Sequence, residues 1–354
     1  MDFLSALTRQ LTLRQGLQPR DIIKFCYQAA FGAEHLLGDV SAAERYFRAE
    51  YAAVAPAEEP LYEPLSPAAG RISLRAWKGR GLPEDWLFRM FVCSASYPQE
   101  GAERFSDYLG AAAGLIAAGR APFSAAAWEQ TLTDYEAAGG GAMHHSESYR
   151  QQNVPAYRVV SSRFRPLLPL LEHLAALPQT DHARIVAIDG RAASGKTTAA
   201  EALAAVLTAG VVHMDDFFLP RELRTAERLA ESGGNVHYER FASEVLPRLA
   251  AREMFSYGRF DCGQMALTGE RTVAAAPYRI VEGCYSCHPL FGDYADVRVF
   301  SDVAPAEQQR RIQERDGEES LQAFLTRWIP MEEQYFSAFA IRERAALTLR
   351  SDID

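Results

Sequence analysis

Residues Ile185 to Leu203 read IVAIDGRAASGKTTAAEAL. The stretch opens with a short apolar run suited to a buried strand and closes with small and apolar residues that suit a helix. Between them, GRAASGKT from Gly190 to Thr197 matches G-x-x-x-x-G-K-S/T in the strand-to-helix setting its mechanism requires. Glycines let the backbone turn its N–H groups inward, and the helix N-terminus adds the positive end of its dipole. Lys196 can reach terminal phosphates and Thr197 offers a hydroxyl to Mg2+. The candidate nucleotide-binding positions are Gly190, Ala193, Ser194, Gly195, Lys196, Thr197 and Thr198. A plain strand-to-helix turn with a chance lysine is the alternative.

Around this stretch the pattern alternates. RIVAID, GVVHM, YRIVEG and VRVFSDV are short β-branched runs, separated by helical stretches such as TTAAEALAAVL and ERFASEVLPRLAA. Such alternation predicts an α/β domain with a parallel sheet flanked by helices. Carboxylates stand where two of these strands end. HMDDFF places Asp215 and Asp216 after the second strand, where one of them can take a proton from a substrate hydroxyl. Adjacent strand residues face opposite ways, so at most one points into a cleft. A turn aspartate or a helix cap is the competing role. Glu282 in RIVEG is suited to holding Mg2+, with a buried structural glutamate as the alternative. Further on, EQQRRIQERDGEESLQAFLTRW carries Arg310, Arg311, Arg315 and Arg327. Arg311 and Arg315 share one helical face that can close over phosphates, although the acidic residues interleaved with them also fit a solvated helix.

The first half reads differently. DIIKFCYQAAFGAEHLL and AERFSDYLGAAAGLIAAG have helical spacing, while VAPAEEPLYEPLSPAAG and AAGGGAMHHSES read as loops. A helix is expected from about Phe164 to Ala176, with LPQTDHA as the linker that follows. The expected division is a mainly helical domain over 1–177 and a P-loop domain over 178–354. The first contains no nucleotide motif. Its polar clusters, Glu34 with His35 and His144, His145, Ser146, Tyr149, Tyr157 and Arg158, could form a ligand or metal site only if the fold brings them together, and capping or packing is the competing role.

Composition narrows the partners. The 354 residues are 48% apolar and 23% charged, the balance of a folded, water-soluble chain. A net charge of -9 argues against a general nucleic-acid or membrane-coating surface. No apolar run approaches the roughly 20 residues that span a bilayer, and the N-terminus lacks a signal peptide's apolar centre, so a cytoplasmic location is expected. Five cysteines fit reduced thiols better than a disulfide framework. CYSCH, Cys284 to His288, formally matches a c-type haem attachment pattern, but haem attachment needs export, and zinc would need a second ligand pair.

The second half resembles the uridine kinase-like branch of the P-loop kinases, related to phosphoribulokinase and bacterial pantothenate kinase. The resemblance rests on GRAASGKTT, on MDDFF after the second strand, on VEGCYS, and on RRIQERD followed by FLTRWIPMEEQYF. It implies that Asp215, rather than Asp216, is the catalytic base and that lid arginines contact the phosphates. It also implies a sugar-binding region near GGNVHYERF and a base-binding region near FSYGRFDC. Tyr257 is retained as a substrate-binding candidate. His237 stands where a ribose-binding aspartate is expected, and Cys262 where a base-contacting histidine is expected. The missing aspartate removes the ground for naming uridine. His237 would instead favour an acidic or differently hydroxylated acceptor, an ordinary surface histidine being the alternative.

Together these features predict an ATP- and Mg2+-dependent kinase acting on a hydroxyl of a small metabolite, with nucleosides among the candidate acceptors. Lys196 would orient the β- and γ-phosphates, Thr197 and Glu282 would serve the metal, Asp215 would accept the proton, and Arg311 and Arg315 would neutralise charge. Neither nucleic acid nor membrane is an expected partner, and homo-oligomerisation stays open. Two rivals remain: a nucleotide-controlled binding protein whose P-loop domain acts on the N-terminal domain, and an enzymatic first domain regulated by the second.

Overall fold

A computed structural model of the chain describes residues 2–33 and 38–350. Glu34 and His35, singled out above, lie outside the described residues. The chain divides into two compact units, Met1–Arg165 and Pro166–Asp354.

The first unit is mainly helical with one small sheet. Side-chain caps start several of its helices: Asp2 accepts from the Ser5 amide, Asp39 from Ala42, Ser124 from Ala127 and Ser146 from Tyr149. Its core gathers Phe3, Leu7, Ile22, Phe25, Trp128 and Tyr149. Three antiparallel strands, β1 (Tyr62–Pro64), β2 (Ala69–Ser73) and β3 (Tyr157–Ser161), pair in the order β1-β2-β3. This corrects the expectation of a loop through VAPAEEPLYEPLSPAAG, which holds β1 and the start of β2. Pro64 ends an edge strand, where no further ladder donor is required. Gly70 lets the Tyr62 ring lie against its backbone, since a Cβ there would collide with that ring.

The second unit is built on a parallel sheet. Its strands are β4 (Arg184–Gly190), β5 (Ala209–His213), β8 (Tyr278–Glu282), β9 (Val297–Asp302) and β10 (Leu347–Arg350), in the order β10-β9-β4-β8-β5. All neighbours in it are parallel, with Val186 of β4 opposite Ile280 on one side and Val297 on the other. The three central strands are almost entirely buried, which explains why they read as continuous apolar runs rather than alternating ones. Helix Lys196–Leu207 packs against β4, β5 and β8. This is the predicted P-loop kinase fold. Two further strands, β6 (Phe255–Asp261) and β7 (Ala266–Val273), form a separate antiparallel hairpin with a bulge between Arg259 and Phe260.

The expected helix from Phe164 begins as a 3-10 turn, Ser162–Leu167, and becomes α-helical only over Leu168–Ala176. Pro166 denies the first segment an amide donor. Among the described residues, no helix is long and apolar enough to cross a membrane.

Candidate active site

The phosphate loop joins the end of β4 to helix Lys196–Leu207. Gly190 has φ 135° and its missing Cβ leaves room for the Ser301 carbonyl, with which a side chain would collide. Gly195, at φ 90°, caps the helix in a left-handed conformation. The loop is braced from the next strand: Arg191 N–H donates to Ser301 O at 3.2 Å, and Arg191 Nε donates to Asp302 Oδ1 at 2.9 Å. Lys196 is folded back over the loop, its Nζ donating to Gly190 O at 2.9 Å and Arg191 O at 2.7 Å. Phosphate oxygens can replace those two carbonyls as acceptors without moving the backbone.

Beneath the loop, Asp189 is fully buried and acts as a node. It accepts from the amides of Gly190 (2.7 Å), Tyr285 (3.1 Å) and Cys287 (2.8 Å) and from the Tyr335 hydroxyl (2.8 Å). The CYSCH segment thus serves the loop through backbone N–H groups. Cys284 and Cys287 are free thiols, and burial pushes Cys284 well above the ordinary range.

Lys196, Thr197, Asp215, Glu282, Arg311 and Arg315 line one cavity of about 490 Å3. Gly195 and Thr198 also line it, as does Ala193, which has φ 54°. Ser194 is buried at its side, where its carbonyl accepts from Ser301 Oγ at 3.3 Å. Thr197 Oγ1 donates to Glu282 Oε2 at 3.1 Å, and His213 Nδ1 lies 2.6 Å from Glu282 Oε1. Glu282 comes from the end of β8 and His213 from the end of β5, so the two strands aim their last side chains at the same point.

The two aspartates of MDDFF part company. Asp215 faces the cavity and is open to it. Enclosure by the cleft walls, and then the Glu282 charge, hold its carboxyl above the usual range, while Lys196 and His213 act the other way. Asp216 is buried: its Oδ2 accepts from Tyr257 Oη at 3.0 Å and from Arg271 Nε at 2.7 Å. Tyr257 therefore belongs to the support of this turn, and its hydroxyl also receives the His213 amide at 3.1 Å. His237 does not reach the cavity either. It caps helix Tyr238–Glu244 and lies 3.1 Å from Glu239.

The two arginines that line the cavity, Arg311 and Arg315, come from helix Pro305–Asp316. Arg311 Nη1 donates to Ala193 O at 3.2 Å, tying helix to loop, and Arg315 pairs with Asp316. Arg310 points elsewhere, to Glu307 and Glu314. Arg327 lies over the Trp328 ring at 4.5 Å.

Glu332 was not anticipated. It is buried on helix Ile329–Phe339, and its Oε2 accepts the Ala192 amide of the phosphate loop at 2.9 Å. Burial is the main cause that pushes its carboxyl up to about 7. With Phe218 and Phe324, Glu332 lines both the 490 Å3 cavity and a neighbouring one of about 320 Å3. The second cavity also has Tyr285, Trp328, Arg224 and Asn235 in its walls. Asn235 Oδ1 is buried there without a hydrogen-bond partner. Phe324–Trp328 form a π-helical turn, so the aromatic wall is carried by a local irregularity of the backbone.

A divalent cation suits this donor set. The Glu282 charge raises the cost of ionising Asp215 across the cavity, and Thr197 adds a hydroxyl beside Glu282. Mg2+ characteristically takes one or two carboxylates and completes its shell with phosphate oxygens and water. Among the described residues, neither unit contains a group of three or more His, Cys, Asp or Glu side chains that could hold a metal on its own.

No family model matches the chain, and no curated protein matches it. Among solved structures, it is similar to a protein from Bacillus stearothermophilus provisionally described as a uridine kinase, with 20% identity, 52% of this chain and 97% of that one covered, and a TM-score of 0.41. It is also similar to a protein from Silicibacter sp. TM1040 provisionally described as a fructose transport system kinase, with 22% identity, coverage of 53% and 98%, and a TM-score of 0.42. A third is D-glycerate 3-kinase from Cryptococcus neoformans, with 14% identity, coverage of 49% and 86%, and a TM-score of 0.34.

Proposed function

We propose that the chain is an ATP- and Mg2+-dependent kinase that transfers a γ-phosphoryl group to a hydroxyl of a small metabolite. The observation that carries this reading is the sharing of three wall residues, Phe218, Phe324 and Glu332, between a cavity lined by Lys196, Thr197, Asp215 and Glu282 and a second, aromatic-walled cavity. Phosphate-binding chemistry and a pocket for an acceptor meet at these three residues, with Asp215 on the phosphate side.

In this reading the phosphate tail lies along the Gly190–Thr197 loop, where the backbone N–H groups and the helix N-terminus receive it. Lys196 leaves its two carbonyls for the β- and γ-phosphates. Thr197 and Glu282 would hold Mg2+, which supplies charge neutralisation across the phosphate oxygens. Asp215 accepts the proton of the acceptor hydroxyl as the new O–P bond forms and the bond to the β-phosphate oxygen breaks. Its raised carboxyl brings its proton affinity closer to the working pH, which favours proton uptake. Arg311 and Arg315 face the transferring group, where positive charge lowers the barrier most.

The acceptor is defined by its pocket. Phe218, Tyr285, Phe324 and Trp328 suit a planar or apolar body, while Arg224, Asn235 and Glu332 offer polar contacts. A nucleoside is one compound class of this kind.

The test is ADP release with Mg2+ and ATP across a panel of nucleosides, sugars and hydroxy acids. One acceptor should raise turnover, Lys196→Ala should abolish it, and Asp215→Asn should lower kcat by about 100-fold or more while ATP still binds. An Asp215→Asn enzyme with full turnover would remove the base assignment, and no acceptor-dependent ADP release from any panel member would refute the kinase reading.

A further inference from the structure

The first unit contains a cavity of about 270 Å3 that the kinase reading leaves without a role. Its walls carry four guanidinium groups, from Arg9, Arg14, Arg71 and Arg75, against two carboxylates, Glu59 and Glu63. Arg71 of β2 is only 2% exposed, which is rare for an arginine whose carboxylate partner, Glu63, stands as far off as 3.8 Å. Its Nε and Nη2 both donate to Gln28 Oε1, at 3.2 and 2.6 Å, and its face stacks on the Tyr157 ring with 4.4 Å to the centroid. The remaining nitrogen, Nη1, is buried without a hydrogen-bond partner; Glu63 is 3.8 Å away.

Arg75, in the helix Leu74–Gly79 that follows β2, repeats the pattern. Its Nε is buried and unpartnered, and its guanidinium pairs with no carboxylate among the described residues. Glu59 is already held by Ser73 Oγ, and Glu63 by Arg14 at 3.1 Å. Two buried guanidinium nitrogens, Arg71 Nη1 and Arg75 Nε, therefore border one cavity without a hydrogen-bond acceptor, Glu63 neutralising Arg71 only at 3.8 Å, an arrangement that folded chains avoid unless a ligand completes it.

The ring that Arg71 stacks on is held from behind. Buried Asp21 receives His145 Nδ1 at 2.9 Å, and His145 Nε2 lies 2.7 Å from the Tyr157 hydroxyl. Asp21 is further fixed by the Ser146 amide at 2.9 Å and the Ser146 hydroxyl at 2.6 Å. This chain holds Tyr157, and Tyr157 holds the plane of Arg71, so the donors are oriented before any ligand arrives.

We propose that this cavity is a binding site for a small phosphomonoester carrying hydroxyl groups. Guanidinium groups approach it from two different elements, Arg71 and Arg75 from β2 and its helix, and Arg9 and Arg14 from helix Phe3–Leu13 and its end. That geometry suits the several oxygens of a tetrahedral dianion, whereas a carboxylate is met by one bidentate arginine. Glu59 and Glu63 repel a bare anion and accept from hydroxyls, so they select for the organic part of the ligand. The proposal stands on residues of the first unit alone and does not depend on the kinase assignment.

Calorimetric titration of the full chain with glycerol 3-phosphate tests it, with the phosphate loop saturated by Mg2+ and a non-hydrolysable ATP analogue. The expected result is saturable binding at one site that persists in Lys196→Ala, weakens at least tenfold in Arg75→Met and in Arg9→Met, and is absent for glycerol. Unchanged thermal unfolding of Arg75→Met and Arg9→Met, relative to wild type, is the control that their fold is intact. No saturable binding, equal affinity in wild type and both arginine variants, or loss of binding in Lys196→Ala would overturn the proposal.

Discussion

Replacing Glu332 by glutamine isolates the cost of keeping a carboxylate beside the phosphate loop. Glu332 is 8% exposed, and its carboxyl rises from 4.5 to about 7. Burial contributes most, Asp189 and Glu333 add to it, and Lys196 and the Ala192 amide oppose it. The folded chain therefore holds this proton more tightly than the unfolded chain. Its stabilising contribution is complete below about 4.5, is lost as pH rises toward 7, and does not return above that. A tenfold change in proton affinity is about 1.4 kcal/mol, so the loss at pH 8 is on the order of 3 kcal/mol. Glutamine stays neutral and can still accept the Ala192 N–H. Urea titrations followed by far-UV circular dichroism should give nearly equal stabilities for wild type and Glu332→Gln at pH 4. At pH 8 the variant should be more stable by on the order of 3 kcal/mol. A difference between the two proteins that is the same at both pH values would refute the reasoning.

Two further outcomes follow from the geometry. Gly190→Ala drives a Cβ into the Ser301 carbonyl and should destabilise the second unit by about 1–3 kcal/mol, seen as a melting point lower by a few degrees and weakened ATP binding. Burial holds His145 down at about 4 against an ordinary 6.5, so the folded first unit binds fewer protons than the unfolded one between those values. Its stability should be full above 6.5 and fall by on the order of 3 kcal/mol as pH drops toward 4, and an NMR titration of the His145 ring that shows protonation at pH 6 would contradict this.

The sheet of the second unit was legible because its strands are buried on both faces and leave uninterrupted β-branched runs. The phosphate loop was legible because its glycines, lysine and threonine are needed at fixed spacing. The hairpin of β6 and β7 was not seen as one: β7, with Gly269, Glu270 and Arg271, is largely exposed and has no apolar alternation to read. Strands β1 and β2 were hidden by their prolines and glycines, which here sit where an edge strand and a packed ring tolerate them. In the site, Asp215 and Glu282 could be found because they stand at strand ends. Glu332 could not, since it meets Ala192 from a helix 140 positions away and stands beside Glu333 and Gln334, with nothing local to mark which carboxylate is buried. Asp189 was hidden inside an apolar strand. The cavity of the first unit depends on Arg71 and Tyr157 arriving side by side from β2 and β3, which no local spacing encodes.

The hairpin of β6 and β7 has a wider consequence. It is not paired with the main sheet, yet Tyr257 and Arg271 reach from it to Asp216, one peptide bond from Asp215. In the proposed kinase reading, the phosphate end of the site would be anchored in the sheet, and the acceptor end would lean on a ribbon outside the sheet's hydrogen-bond ladder. On that reading, insertions or replacements along the ribbon would shift Asp215 and leave Lys196 and Thr197 where they are, so that a scaffold of this kind would exchange one acceptor for another while inheriting the same nucleotide chemistry.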